Sequence, residues 1–217
     1  MLGKSKTGIL LYLPIIGIFL FFVLYILAAS KYPGGSQADD FSTGFDWFHN
    51  YWCDLMKEIA YNQTTNFARP IAILATFLLA FSIALFSIQF PKYLPVSSFW
   101  DKATSISGTL AMIVATLIFT DLHDKVIIVC SLFGLVTVVG IFKGLIHNKK
   151  RTHQKIAIFC LFLILINNVL YYGEYYYYLP LIQKLTFAVI LLWLVSINWL
   201  FIQKKHQMPL RHLMLRT

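Results

Sequence analysis

Residues 70–90 read PIAILATFLLAFSIALFSIQF, an apolar run without a charged side chain. A helix needs about 20 such residues to cross the roughly 30 Å hydrocarbon core of a bilayer, so this run predicts a transmembrane helix. Five further apolar runs occur, at residues 8–29, 98–120, 125–146, 156–172 and 181–202. We therefore expect an all-α polytopic membrane protein, a six-transmembrane-helix bundle that forms a single membrane domain over residues 1–217.

The composition of the whole chain supports a membrane protein. Of the 217 residues, 59% are hydrophobic and 12% are charged, whereas soluble domains carry about 25% charged residues. The formal net charge is +9, but no soluble face interleaves basic and aromatic residues as a nucleic-acid-binding surface would. We therefore expect no nucleic-acid partner and assign the excess charge to membrane topology.

The basic residues predict the orientation of the bundle, because cytoplasmic segments of membrane proteins are enriched in Lys and Arg. With both termini inside, the inner segments hold thirteen of the eighteen basic residues: Lys4, Lys6, Lys92, Lys102, Lys143, Lys149, Lys150, Arg151, Lys155, Lys204, Lys205, Arg211 and Arg216. The outer segments hold the other five: Lys31, Lys57, Arg69, Lys125 and Lys184. We expect a multi-pass protein of a prokaryotic cytoplasmic membrane, with both termini cytoplasmic.

The longest connection between the apolar runs is the outer segment 30–69. Connections of more than about 12–15 residues are usually functional or disordered, and this one is rich in aromatic residues. Within it, residues 45–60 have helical periodicity, which predicts an amphipathic lid helix with its aromatic side against the bundle. One stripe holds Phe48, Trp52, Leu55 and Ile59, and the other holds Asp46, Asn50, Asp54 and Glu58.

Polar side chains from several segments are expected at the depth of this lid. Ionisable groups at membrane depth are expensive, so each is a candidate for function. The candidate binding site consists of Asp46, His49, Asn50, Asp54, Asp121, His123, Asn168 and Lys184. Each also has a simpler interpretation: the lid acids as a solvated face, Asp121 as a helix cap, Asn168 as an interhelical hydrogen-bonding group, and Lys184 as a residue that extends towards the interface.

Two stretches carry a resemblance to a known family. They are Tyr32-Pro33-Gly34-Gly35-Ser36 and the run from Gly44 to Leu55, which includes Asn50-Tyr51-Trp52-Cys53-Asp54-Leu55. With Asp121 and His123 near the fourth helix, the chain resembles the prokaryotic membrane family called domain of unknown function 998. Thr120 stands where members often have proline. The resemblance implies six helices over nearly the whole chain and no particular activity. The layout is also distantly similar to the Frag1/DRAM/Sfk1 membrane proteins.

Three classes of function are compatible with the sequence. We favour a non-catalytic protein that binds or organises a lipid or a partner through its extracytoplasmic face, with membrane lipids as partners and either a second copy or another membrane protein as a further partner. The first alternative is a metal-dependent hydrolase acting on a lipid, in which His49 and His123 would join a carboxylate. The second is a small transporter subunit. We assign no catalytic residue and expect no cofactor and no metal.

Overall fold

The computed structural model describes residues 8–214, with side chains up to residue 207. Lys4, Lys6 and Arg216 lie outside the described residues, as does the side chain of Arg211. The described chain is all-α, as the sequence predicts. Its six helices are α1 (Leu13–Ala29), α2 (Arg69–Tyr93), α3 (Ser98–Ala115), α4 (His123–His147), α5 (Arg151–Tyr172) and α6 (Leu179–Met214).

Four of these helices are long and apolar enough to cross a membrane: α2, α4, α5 and the part of α6 from Leu179 to Gln207. Helix α1 is apolar but has 17 residues, and α3 has 18 residues and begins with the charged pair Asp101 and Lys102 in its first two turns. Most side chains of α5 are exposed. Such a surface fits lipid contact better than water contact, which supports a membrane location.

Side chains of neighbouring helices bind backbone carbonyl groups near two helix ends. Pro91 lacks the N–H that would bond the Ser87 carbonyl, and Ser105 Oγ donates to that carbonyl at 3.2 Å. The helix continues past Pro91 to Tyr93, three residues beyond the apolar run at 70–90. Just before α1, the Leu10 carbonyl accepts a hydrogen bond from Gln89 Nε2 of α2 at 2.8 Å.

Helices α1 to α4 pack in chain order through small residues. A Cβ atom at Gly17 would overlap Ser82 of α2, and one at Gly140 of α4 would overlap Thr104 of α3. Such small residues let helix backbones approach closely, which is how helices associate where the hydrophobic effect is absent. The α3–α4 contact also includes a hydrogen bond of 2.7 Å between the hydroxyl groups of Ser107 and Thr137.

Helix α6 contacts α1, α2 and α5 rather than packing extensively on α3 or α4. Asn198 Nδ2 of α6 donates to the Leu11 carbonyl at 2.6 Å, and Trp193 Nε1 donates to the His153 carbonyl of α5 at 3.1 Å. The bundle thus has two arms, α3 with α4 and α5 with α6, that are joined through α1 and α2. This arrangement leaves space between α6 and the α3–α4 arm.

The predicted amphipathic lid helix over residues 45–60 is wrong. Residues 30–68, here called the long connection, form a compact fold of turns with one short 3₁₀ helix, Trp52–Met56. Asp46 Oδ1 accepts the backbone N–H groups of Phe48 and His49, and Asn50 Oδ1 accepts that of Asp46. Asp and Asn side chains that bond nearby backbone groups in this way compete with helix formation.

The burial of the two predicted stripes is also reversed in part. Asn50 and Asp54, predicted to face solvent, are fully buried, whereas Phe48 and Ile59 are 61% and 50% exposed. Trp52 does lie against the bundle, with its ring 5.5 Å from that of Phe21 and 5.2 Å from that of Phe187. The long connection therefore covers one end of the bundle through a polar centre and one aromatic anchor.

The close approach of α3 and α4 gives a prediction for stability. Gly140→Ala should lower the free energy of unfolding by about 1–3 kcal/mol, because the added methyl group must displace Thr104. Gly134 of the same helix has no atom within 4 Å of its Cβ position, so Gly134→Ala should be neutral or stabilising by up to about 1 kcal/mol. Thermal unfolding in detergent measures both, and equal effects of the two substitutions would contradict the packing.

Candidate functional site

Asn50 and Asp54 form the polar centre of the long connection. Asn50 Nδ2 donates to the Gly35 carbonyl at 3.0 Å and to Asp54 Oδ2 at 3.4 Å. Asp54 Oδ2 also accepts the Tyr51 N–H at 2.7 Å, and its other oxygen pairs with Lys57 at 2.8 Å. Since both residues are fully buried, these bonds replace the water that each side chain would otherwise keep.

Asn66 holds the end of the long connection where it enters α2. Its Nδ2 donates to the carbonyl groups of Asp54, Leu55 and Lys57 at 3.1, 3.2 and 2.9 Å. Its Oδ1 accepts the N–H of Ala68 at 3.0 Å. One amide thus fixes the 3₁₀ helix relative to the start of α2.

The glycines before this centre are required by the backbone. Gly35 has φ +80°, a left-handed conformation that side chains disfavour. A Cβ atom at this position would also lie 2.5 Å from the backbone nitrogen of Asn62. Gly35 therefore allows the chain to pass close to a second part of the long connection.

Lys184 connects α6 to the polar centre. It lies near the beginning of α6 and is 7% exposed. Its Nζ donates to the backbone carbonyl of Asn50 and lies 5.7 Å from the centre of the Phe45 ring, within the range of a cation–π interaction. Within residues 8–214 no carboxylate oxygen lies within 4.0 Å of Nζ. Asp54, the buried acid of the candidate site, pairs with Lys57 instead.

A cavity of about 280 Å³ extends from Lys184 into the space between α6 and the α3–α4 arm. Its rim near the long connection carries Gln183 and His123, and Trp52 covers it. The walls are mostly apolar and include Phe21, Leu79, Ile83, Met112, Ile118 and Phe187. The cavity therefore combines an apolar interior with a buried ammonium group at one end.

Asp46 and His49 form a separate pair at the surface of the long connection. His49 Nδ1 lies 2.7 Å from Asp46 Oδ2. Partial burial acts to raise the pKa of Asp46, but the hydrogen bonds from the His49 ring and from two backbone N–H groups prevail and lower it. The His49 ring also lies 4.4 Å from the ring of Tyr177, so the pair attaches the long connection to the α5–α6 turn.

The ionisable groups around Asp54 do not provide a nucleophile. Burial, with a smaller contribution from the Asp54 carboxylate, raises the pKa of the Cys53 thiol to about 12. The thiol therefore stays protonated at neutral pH, where only a thiolate would attack a substrate or bind a metal. Burial opposes the charge of Lys57, but its contacts with Asp54 outweigh burial and raise the pKa of Lys57.

The remaining predicted site residues lie in different surroundings. His123 lines the cavity with Lys184, and its Nδ1 lies 3.1 Å from Asp124. Asp121 is exposed. Asn168 is also exposed and bonds the Ile164 carbonyl of its own helix, so the prediction that it supports the cluster is wrong.

The neighbouring residue, Asn167, makes the interhelical contact. Its Nδ2 donates to Thr186 Oγ1 of α6 at 2.6 Å. The helical periodicity explains the difference, since adjacent residues on a helix point about 100° apart and only one of the two asparagines can face α6. The sequence analysis predicted an asparagine at the correct depth of α5 but chose the neighbour of the one that faces α6.

The positions of the histidines test the alternative that the protein is a metal-dependent hydrolase. Within residues 8–214, no group of three or more His, Cys, Asp or Glu side chains could hold a metal ion. His49 and His123 each pair with an acid of their own segment, Asp46 and Asp124. The His₂-carboxylate site considered from the sequence is therefore not formed by these residues.

Fold and site together define a class: an all-α protein with several helices able to cross a membrane and a folded connection that covers an amphipathic cavity. Comparison with protein-family models, with curated proteins and with solved structures finds no match for the chain. Any function must therefore be argued from the geometry of the site.

The role of Asn66 gives a second prediction. Asn66→Ala should lower the free energy of unfolding by about 2–4 kcal/mol, because it removes the side-chain donor shared by three carbonyl groups of the long connection, of which only that of Asp54 keeps a backbone N–H. The Asn62 side chain in the same segment accepts hydrogen bonds from Thr64. Asn62→Ala should therefore change the free energy of unfolding by less than about 1 kcal/mol. Thermal unfolding in detergent measures both. A loss with Asn66→Ala no greater than that with Asn62→Ala would contradict the assigned role.

Proposed function

We propose that this protein is a six-span membrane protein with both termini in the cytoplasm. Helices α1 and α3, with 17 and 18 residues, fall inside the range of about 17–25 residues that can span a bilayer. Because six is an even number of spans, both ends of the chain then lie on the same side of the membrane. The excess of basic residues in the segments on that side supports its assignment as cytoplasmic.

Cysteine labelling tests this topology. The three native cysteines, Cys53, Cys130 and Cys160, are free and would first be replaced. In that background, Gln37→Cys in the exposed part of the long connection should react with a membrane-impermeant reagent in intact cells. Gln203→Cys near the other end of α6 should react only after the cells are opened. The reverse pattern would overturn the orientation.

We further propose that the protein binds a lipid, without catalysis, in the cavity beneath the long connection. The observation that carries this proposal is the form of the cavity: about 280 Å³, mostly apolar walls, and the Lys184 ammonium at one end. Ligand pockets commonly combine apolar walls with a few polar groups that fix the orientation of the ligand. A lipid has the matching form, an apolar chain with a polar head.

The position of the cavity supports a ligand that arrives from the membrane. Ile127 of α4 lines the cavity and is 42% exposed, while the adjacent Ile128 is 62% exposed. A side chain of this helix thus lies between the cavity and the surroundings of the bundle. In a bilayer these surroundings are the acyl chains of the lipids themselves.

The residues that carry the family resemblance also lie at the site proposed to bind lipid. Asn50, Asp54 and Leu55 are buried at the centre of the long connection, and the Asn50 carbonyl binds Lys184. We propose that the chain belongs to the domain of unknown function 998 family and that its members share this long connection and the cavity beneath it.

Copurified lipid tests the proposed binding. After extraction in a mild detergent, mass spectrometry should find a lipid retained by the wild-type protein. Ile127→Trp places a large side chain at the cavity and should reduce the retained lipid several-fold, whereas the control Ile128→Trp should leave it unchanged. Equal retention by both variants would show that the lipid binds only to the outer surface of the helices.

A further inference from the structure

The cavity also indicates what kind of lipid it accepts. We infer that it takes one alkyl chain of an anionic amphiphile, whose carboxylate or phosphate group binds Lys184. This inference rests on the proposed lipid binding and adds the chemistry of the ligand.

The state of Lys184 is the first argument. An ammonium group has three N–H donors, and the structure gives one acceptor, the Asn50 carbonyl. A carbonyl group does not neutralise the charge, and a buried charge without a counter-ion is unfavourable. An anion in the cavity would complete the pairing.

The surrounding acids do not provide this counter-ion. Asp54 lies beside Asn50, but it makes its ion pair with Lys57. Asp46 is bound to His49. Among the described residues that line the cavity there is no Asp or Glu, so an anionic head would meet no carboxylate on the cavity wall.

The size of the cavity is the second argument. Ligand pockets commonly measure about 300–1,000 Å³, so a volume of about 280 Å³ lies just below that range and suits a small ligand with one alkyl chain. The apolar side chains of Phe21, Leu79, Ile83 and Phe187 would surround that chain.

The polar rim gives the third argument. Gln183 and His123 line the cavity beside Lys184 and can donate to further oxygen atoms of a head group. All polar groups of the cavity that could bind a charged head lie near the long connection, while the opposite end is apolar. The ligand is therefore oriented with its head towards the long connection and its chain towards the middle of the bundle.

The test compares three probes with the same chain: dodecanoate, dodecyl phosphate and dodecanol, below their micelle-forming concentrations. Binding to the purified protein in lipid nanodiscs is measured by calorimetric titration. At least one anion should bind wild-type protein at least about tenfold more tightly than dodecanol, since hydrogen bonds to a charged group are stronger than those between neutral groups. Tighter binding of dodecanoate indicates a carboxylate ligand, and tighter binding of dodecyl phosphate a phosphate head group.

Two lysine variants complete the test. Lys184→Met should lower the affinity for the preferred anion about tenfold or more and leave that for dodecanol unchanged. Lys125 is exposed in the first turn of α4, so Lys125→Met removes the same charge near the same end of the bundle and should change neither affinity. If Lys184→Met fails to fold, the comparison of the three probes on wild-type protein still decides.

The outcomes separate the two proposals. Equal affinity of wild-type protein for the anions and for dodecanol, with all three weakened by Ile127→Trp, would overturn the anionic head and leave lipid binding in place. Absence of binding by every probe, together with no lipid retained on purification, would overturn both.

Discussion

The hydrogen bond from the Lys184 ammonium to the Asn50 carbonyl joins the parts of this protein that the sequence keeps far apart. Asn50 lies at the centre of the long connection, between Gly35 and Asp54, and Lys184 lies near the start of α6. Because both residues are buried, the contact replaces water on both sides and is strengthened by the low local dielectric. Together with the bonds of Asn66, this contact holds the long connection and Trp52 on the bundle and closes one end of the cavity.

The helices could be predicted because their signal is strong and local. Apolar runs such as residues 70–90 allow few structures other than buried or membrane helices, and α2, α4 and α5 were found within a few residues of their expected positions. The long connection could not be predicted in the same way. Polar residues every four positions are compatible with a helix face, but Asp46, Asn50 and Asp54 each bond a backbone N–H of a turn instead, and sequence spacing does not distinguish these uses.

The candidate site was predicted in part for a similar reason. Lys184 was recognisable as a charge at membrane depth, and its placement near the lid follows from chain connectivity. Its partner was not recognisable, because a backbone carbonyl has no sequence signature. Asn66 was missed although an Asn shortly before Pro70 and the first turn of α2 is typical of a residue that binds backbone groups at a helix start. The cavity arises from the separation of two helical arms, which no local pattern encodes.

The bond from Asn198 to the Leu11 carbonyl has a consequence for the order in which the molecule is built. It joins positions separated by 187 residues, and proteins are synthesised from the N-terminus. The Leu11 carbonyl, two residues before α1, is therefore synthesised long before its partner. Until α6 is in place, that group needs another hydrogen-bond donor, such as water. Helix α6 thus completes the hydrogen bonding at the start of α1. In a chain truncated before α6, the backbone amides there should exchange with solvent more readily.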